Sequence, residues 1–255
     1  MTSLPHQLDR TITIRAPRET VFRFFTDNAR WASWWGAGST IDPRPSGKLL
    51  IRYPDGTEAV GEVVELRAPE RIAFSYGFVS GKLIPPGGSR VTIDLERDGD
   101  GTRLRLVHEF ADAALRGEFV QGWRYQLSLF ANIVADEIHK EATALADAWF
   151  AAWGEPDAAT REREIGRIAS PGVTFRDRFS CTGGVDDLPP HLAAAQRFMP
   201  GMRLKRDGSV RHCQGVALAD WIAVTADGQE RARGTNVFAF GADGRIESVT
   251  GFWGR

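Results

Sequence analysis

The sequence predicts an α+β protein of two domains, and three observations carry the prediction. Its 255 residues exceed the span of most single α+β domains. Each half holds short strand signals separated by Gly, Pro and Asp turns, without the strand-helix alternation of a parallel sheet. Between the halves the hydrophobic spacing changes from alternation to a helical period over residues 112–138.

The elements follow in order. Residues 11–15 alternate Thr, Ile, Thr, Ile, Arg, as a half-buried strand does, and Pro17 stands where a first helical turn accepts it. Val21, Phe22, Phe24 and Phe25 make that helix apolar. Next comes Arg30-Trp31-Ala32-Ser33-Trp34-Trp35-Gly36, three indoles within five residues, which read as a core or as the wall of a pocket. Strand signals at 47–53, 58–66, 72–78, 89–97 and 102–109 are divided by Asp55-Gly56, Pro69-Glu70, Pro85-Pro86-Gly87-Gly88 and Asp98-Gly99-Asp100-Gly101. That turn chemistry predicts an antiparallel meander. Phe119, Trp123, Leu127, Phe130 and Val134 then recur every three or four residues on one long amphipathic helix.

Ala142, Leu145, Trp149, Phe150 and Trp153 start another helix without an intervening linker, which sets the domains at 1–139 and 140–255. The second half reads as helices near 158–169 and 188–198 and strands near 173–180, 202–212, 215–225, 229–240 and 246–253. Turns at Asp207-Gly208, Asp227-Gly228 and Asp243-Gly244 predict that these strands are antiparallel.

Composition narrows the function. The 32 Lys plus Arg nearly cancel the 33 Asp plus Glu, so no basic footprint points to nucleic acid or to an anionic membrane. No stretch of eighteen apolar residues is present and Met1–Arg10 has no apolar signal region, so a cytoplasmic protein without a membrane partner is expected. Cys181 and Cys213 make no disulfide framework, and His6, His108, His139, His191 and His212 are scattered. No metal triad, phosphate-binding glycine loop or nucleophile elbow is found, and no cofactor is expected.

The first half carries a resemblance. Ile14-Arg15-Ala16-Pro17, Val21-Phe22-Arg23-Phe24-Phe25, Trp31 through Gly36, Pro69-Glu70-Arg71-Ile72-Ala73-Phe74, Gly101-Thr102-Arg103-Leu104 with His108, and Gly122-Trp123-Arg124-Tyr125 are similar to the bacterial Hsp90-ATPase-activator-homologue family of the START-like helix-grip superfamily. The resemblance implies an antiparallel sheet around a long C-terminal helix with an apolar cavity between them. Trp31, Trp34, Trp35, Phe74, Tyr76, His108, Trp123 and Phe130 are the candidate wall residues, each of them equally suited to a core. His108 shares a strand face with Leu104 and Leu106, where a polar group needs a partner or a ligand. An Hsp90-type chaperone is not the expected partner, because single-domain bacterial members resemble the eukaryotic activator in fold rather than in its chaperone-binding surface.

The second half resembles the NTF2-like superfamily, and within it SnoaL-like and ketosteroid-isomerase-like members. Ala148-Trp149-Phe150-Ala151-Ala152-Trp153, Val173-Thr174-Phe175-Arg176-Asp177, Gly183-Gly184, His191, Asn236-Val237-Phe238-Ala239-Phe240 and Gly251-Phe252-Trp253-Gly254 carry it. It implies a cone of bent sheet and helices with an apolar mouth, and a homodimer. Phe175, Phe238 and His191 are candidate ligand contacts.

By alternation Val173, Phe175, Asp177 and Phe179 share one strand face, and a carboxylate among apolar groups must be paired or used. In the isomerase-like members an aspartate at this place is the general base, so Asp177 is the catalytic candidate; an ion pair with a neighbouring arginine is the plain alternative. Asn236 matches an oxyanion donor, and Trp149 replaces the other donor, a tyrosine. The second half has no tyrosine at all. Three functions follow: binding of a small hydrophobic, polycyclic, lipid- or polyketide-like molecule, which leads; proton abstraction next to a carbonyl by a cofactor-independent isomerase or cyclase; and activation of a chaperone ATPase.

Overall fold

In the computed structural model, which describes residues 4–254, the first strand, β1 (His6–Ile14), turns Leu8 and Ile14 inward and Gln7, Asp9, Thr11 and Thr13 to solvent. Pro17 precedes α1 (Arg18–Arg23), and Asp27 caps α2 (Asn28–Trp35), its carboxylate accepting the Arg30 N–H at 2.9 Å. Gly36 ends α2 at φ 146°, where a Cβ would lie 2.1 Å from the Arg52 carbonyl oxygen. Only glycine lets the helix close onto the neighbouring strand there.

Six more strands follow: β2 (Thr40–Ile41), β3 (Lys48–Arg52), β4 (Glu58–Arg67), β5 (Arg71–Phe78), β6 (Ser89–Asp98) and β7 (Gly101–Phe110). They form an antiparallel sheet in the order β1-β7-β6-β5-β4-β3-β2. The long helix α3 (Ala113–Ile138) buries Trp123, Leu127, Phe130, Ala131 and Val134, one stripe at helical spacing. Phe130 stacks on Phe25 at 5.3 Å and meets Trp34 at 4.8 Å. Removing a ring of this kind from such a core costs about 3–5 kcal/mol.

The chain divides into two compact units, Met1–Val134 and Ala135–Arg255, and the break falls within α3. In the second unit α4 (Ala142–Ala152), α5 (Ala158–Ile168) and α6 (Leu188–Phe198) accompany β8 (Ala169–Arg176), β9 (Cys181–Gly183), β10 (Arg203–Cys213), β11 (Val216–Val224), β12 (Glu230–Phe240) and β13 (Ile246–Trp253). The sheet order is β10-β11-β12-β13-β8-β9. Trp149 and Phe150 of α4 reach Phe238 of β12 at 6.2 and 6.0 Å and close the core.

The α+β class, with a helix-grip arrangement first and a cone of sheet and helices second, is the one the sequence predicts. Two details differ. β13 and β8 pair in parallel, which the long stretch of chain between them, holding β9, α6 and β10 to β12, makes possible where a tight turn could not. The strand expected over 173–180 starts at Ala169 and stops at Arg176. Asp177 stops it: its N–H reaches the Ser180 carbonyl at 3.0 Å, its Oδ1 accepts the Phe179 N–H at 2.8 Å, and this Asx turn replaces the ladder. Phe179 therefore leaves the inner face and is 70% exposed.

Candidate functional site

Between β3, β5 and the first half of α3 the first unit opens into a cavity of about 910 Å³. Trp35 of α2, Tyr53 just beyond β3, Tyr76 and Phe78 of β5, and Phe119 and Trp123 of α3 form its walls. The rings brace one another: Trp35 meets Trp123 at 5.8 Å and Tyr53 at 5.9 Å, and Tyr76 meets Phe78 at 5.5 Å and Phe119 at 6.2 Å, all edge to face. Val79, Leu83 and Tyr125 keep apolar surface exposed at the mouth. A mostly apolar concavity of this size with few polar groups has the dimensions of a small-molecule site.

The polar groups are few and placed. The Tyr53 and Tyr76 hydroxyls bond to each other at 2.9 Å. Burial pushes the Tyr53 phenol up to about 12, and it pushes Tyr76 up further, helped by the adjacent Tyr53, so both are neutral at ordinary pH. Gln126 borders the cavity and commits its amide nitrogen to the Trp34 carbonyl, tying α3 to the end of α2. Asp55, Glu58, Glu118 and Lys82 stand at the rim.

Behind the wall lies His108, fully buried on β7. Trp123 Nε1–H can only donate, and it donates to His108 Nδ1 at 3.0 Å. The imidazole hydrogen is therefore on Nε2, which donates to Ser89 Oγ at 2.8 Å, and Ser89 passes its own hydrogen to the Tyr76 carbonyl at 3.0 Å. Burial lowers the imidazole to about 3 and holds it neutral. This chain fixes the two wall residues Trp123 and Tyr76 from the rear.

Of the residues the sequence proposed as walls, Trp35, Tyr76 and Trp123 border the cavity. Trp31, Trp34, Phe74 and Phe130 do not: Trp31 packs on Trp34 at 5.4 Å and on Phe74 at 5.9 Å, and these rings fill the core. His108 is one layer back. Sequence reasoning missed Tyr53, Phe78, Phe119 and Gln126. A signal for Tyr53 was available, since the chain has three tyrosines, all in the first half, and all three border this cavity.

The second unit has a cavity of only about 40 Å³, bordered by Trp153, Phe175, Asp177, Trp221, Asn236 and Trp253 among others. That is room for a few water molecules. Asp177 and Asn236 are thus brought together, while Trp149 is not: its ring lies in the core against Phe175 at 5.5 Å, and its buried Nε1 has no partner among the described residues. Both Asp177 oxygens are engaged, Oδ1 by the Phe179 N–H and Oδ2 by Trp253 Nε1–H at 3.0 Å. Among the described residues no arginine pairs with it; Arg178 lies over the Phe179 ring at 5.0 Å instead. Asn236 accepts from Trp221 Nε1 at 3.0 Å, so two indoles, Trp221, which the sequence did not single out, and Trp253 of the Gly251-Phe252-Trp253-Gly254 motif, hold both polar groups. Phe238 is core, and His191 packs edge to face on Trp153 at 5.9 Å without bordering the cavity. Among the described residues no three His, Cys, Asp or Glu side chains gather as a metal site.

Comparison with curated proteins finds no match. Among solved structures, a protein of the SnoaL-like family from Agrobacterium tumefaciens is 25% identical, with 46% of this chain and 99% of that one covered and a TM-score of 0.44. CalU16 from Micromonospora echinospora is 25% identical over 49% of this chain and 71% of its own, with a TM-score of 0.42. The Aha1 dimer from Colwellia psychrerythraea is 16% identical over 48% and 90%, again at 0.42. Residues 15–135, which hold the sheet from β2 to β7 and most of α3, match the family described as Activator of Hsp90 ATPase homolog 1-like protein.

Proposed function

We propose that the first unit binds a small, mostly apolar molecule, polycyclic or lipid- or polyketide-like, in its aromatic cavity. The observation that carries the reading is a 910 Å³ space walled by Trp35, Tyr76, Phe119 and Trp123. Its volume exceeds the second unit's cavity more than twentyfold. Fused-ring aromatic compounds offered at about a hundred times their dissociation constant stabilise a one-site binder by roughly 2.7 kcal/mol. We expect such a melting shift for the wild type and its loss in Phe119→Glu, which sets a charge on the half-exposed wall. A Phe119→Glu protein that is folded and shifts like wild type removes the cavity from the reading.

A second reading places isomerase or cyclase chemistry at Asp177, supported by its shared cavity with Asn236. The two hydrogen bonds that Asp177 already accepts, one on each oxygen, must be given up before either oxygen can reach a substrate proton. On this reading Asp177→Asn abolishes turnover of a cyclic enone; unchanged turnover excludes it. We infer further that the protein works as a cytoplasmic homodimer, without a chaperone partner. Among the described residues no helix is long and apolar enough to cross a membrane.

A further inference from the structure

The cavity wall has more hydrogen-bond donors than the protein satisfies. The Tyr53 and Tyr76 hydroxyls carry one hydrogen each and share a single bond of 2.9 Å, so one O–H is left over. Among the described residues no acceptor takes it. On the same wall the Nε1–H of buried Trp35 has no partner among the described residues either, and its ring stands edge to face on Tyr53. Of the neighbouring donors, Trp123 gives its one hydrogen to His108, and Gln126 gives one of its two amide hydrogens to the Trp34 carbonyl. A secluded donor left without an acceptor is costly, and a ligand oxygen placed there removes that cost.

The charges at the rim select in the same direction. Asp55, Glu58 and Glu118 face one Lys82, and although Glu58 holds Arg52 at 2.8 Å, the entrance offers an anion little attraction. Nothing inside the wall neutralises a carboxylate, because the groups there are aromatic rings, two phenols and an amide.

Resting on the reading of this cavity as a ligand site, we propose that its ligand is a neutral, mostly apolar molecule bearing a carbonyl or ether oxygen, received by the Tyr53–Tyr76 hydroxyl pair. Removing one hydroxyl is not enough to test it, because the survivor regains its own hydrogen as a donor. The double variant Tyr53→Phe/Tyr76→Phe keeps both rings and removes both donors.

The probes are 2-acetylnaphthalene, its apolar isostere 2-isopropenylnaphthalene, and 2-naphthoate, titrated calorimetrically into the intact protein. Comparing the ketone-to-alkene affinity ratio between wild type and double variant cancels the different hydration of the two compounds. The ratio is expected to fall about fivefold in the variant, the worth of one neutral hydrogen bond. Naphthoate is expected to bind wild type more weakly than the ketone. An unchanged ratio, or naphthoate as the tightest of the three, overturns the proposal while leaving the cavity as a binding site. If neither the ketone nor the alkene binds wild type, the site itself falls and the proposal with it. Should the double variant not fold, the infrared carbonyl stretch of the ketone bound to wild type decides: a frequency below its value in hexane supports the hydrogen bond, and an unshifted one refutes it.

Discussion

His108 shows how much a single side chain's surroundings decide. The alternation of β7 put it on an apolar face, which was legible; that its two nitrogens would be taken by Trp123 and Ser89 was not, because both come from distant segments. Its imidazole stays neutral in the fold down to about 3, whereas in the unfolded chain it takes up a proton near the usual 6.5. The folded value is the lower one, so this contribution to stability is complete above about pH 6.5 and is lost as pH falls toward 3. Between pH 7 and 4.5 the group costs wild type about 2.5 kcal/mol that His108→Gln does not lose, a difference readable from urea unfolding at the two pH values. Equal losses would mean that the imidazole is not held neutral. Asp177 teaches the reverse lesson. Alternation is valid only while a strand lasts, and the aspartate's own bond to the Phe179 N–H ends the strand that the alternation assumed.

At the scale of elements, the segment between β5 and β6 sets the mouth of the cavity. Phe78 N–H bonds to the Ile84 carbonyl at 2.9 Å, and within that closure Ile84 N–H reaches back to the Lys82 carbonyl at 2.8 Å. Leu83 is thereby the centre of a γ-turn at φ 65°, a backbone that L residues adopt only at a cost. Its side chain is nevertheless leucine and is 59% exposed. Leu83→Gly is expected to stabilise the protein by about 1 kcal/mol in urea melts, the relief of strain outweighing glycine's extra chain entropy. A loss of similar size would show that Leu83 contributes packing that its exposure hides. The long helix, the meander and most turns were readable because Asp-Gly and Pro-Gly pairs and a helical stripe are local signals. The two-residue β2 and three-residue β9 have no pattern to read, and the parallel β13–β8 pair is a long-range event that a turn motif cannot announce. The cavity was legible in kind but not in outline: a run of three indoles locates aromatic bulk, while the way Phe74 and Phe130 meet it decides that only Trp35 borders the opening.

For the molecule as a whole, a formal net charge of −1 leaves little repulsion between copies, and Phe252 on β13 and Val216 on β11 keep apolar surface exposed on the second unit. Light scattering on the purified protein is expected to give twice the chain mass, and a single-chain mass at working concentration would contradict the homodimer. The indole cluster of the first unit has one more consequence, an optical one. Trp34 lies 4.1 Å from Trp35 and 5.4 Å from Trp31, and Trp35 lies 5.8 Å from Trp123. At such separations excitation absorbed by any one indole migrates among all four before it is emitted. A near-ultraviolet-absorbing guest resting against Trp35 or Trp123 would therefore drain the light of the buried pair it never touches, and the chain's own emission becomes a gauge of how full the cavity is.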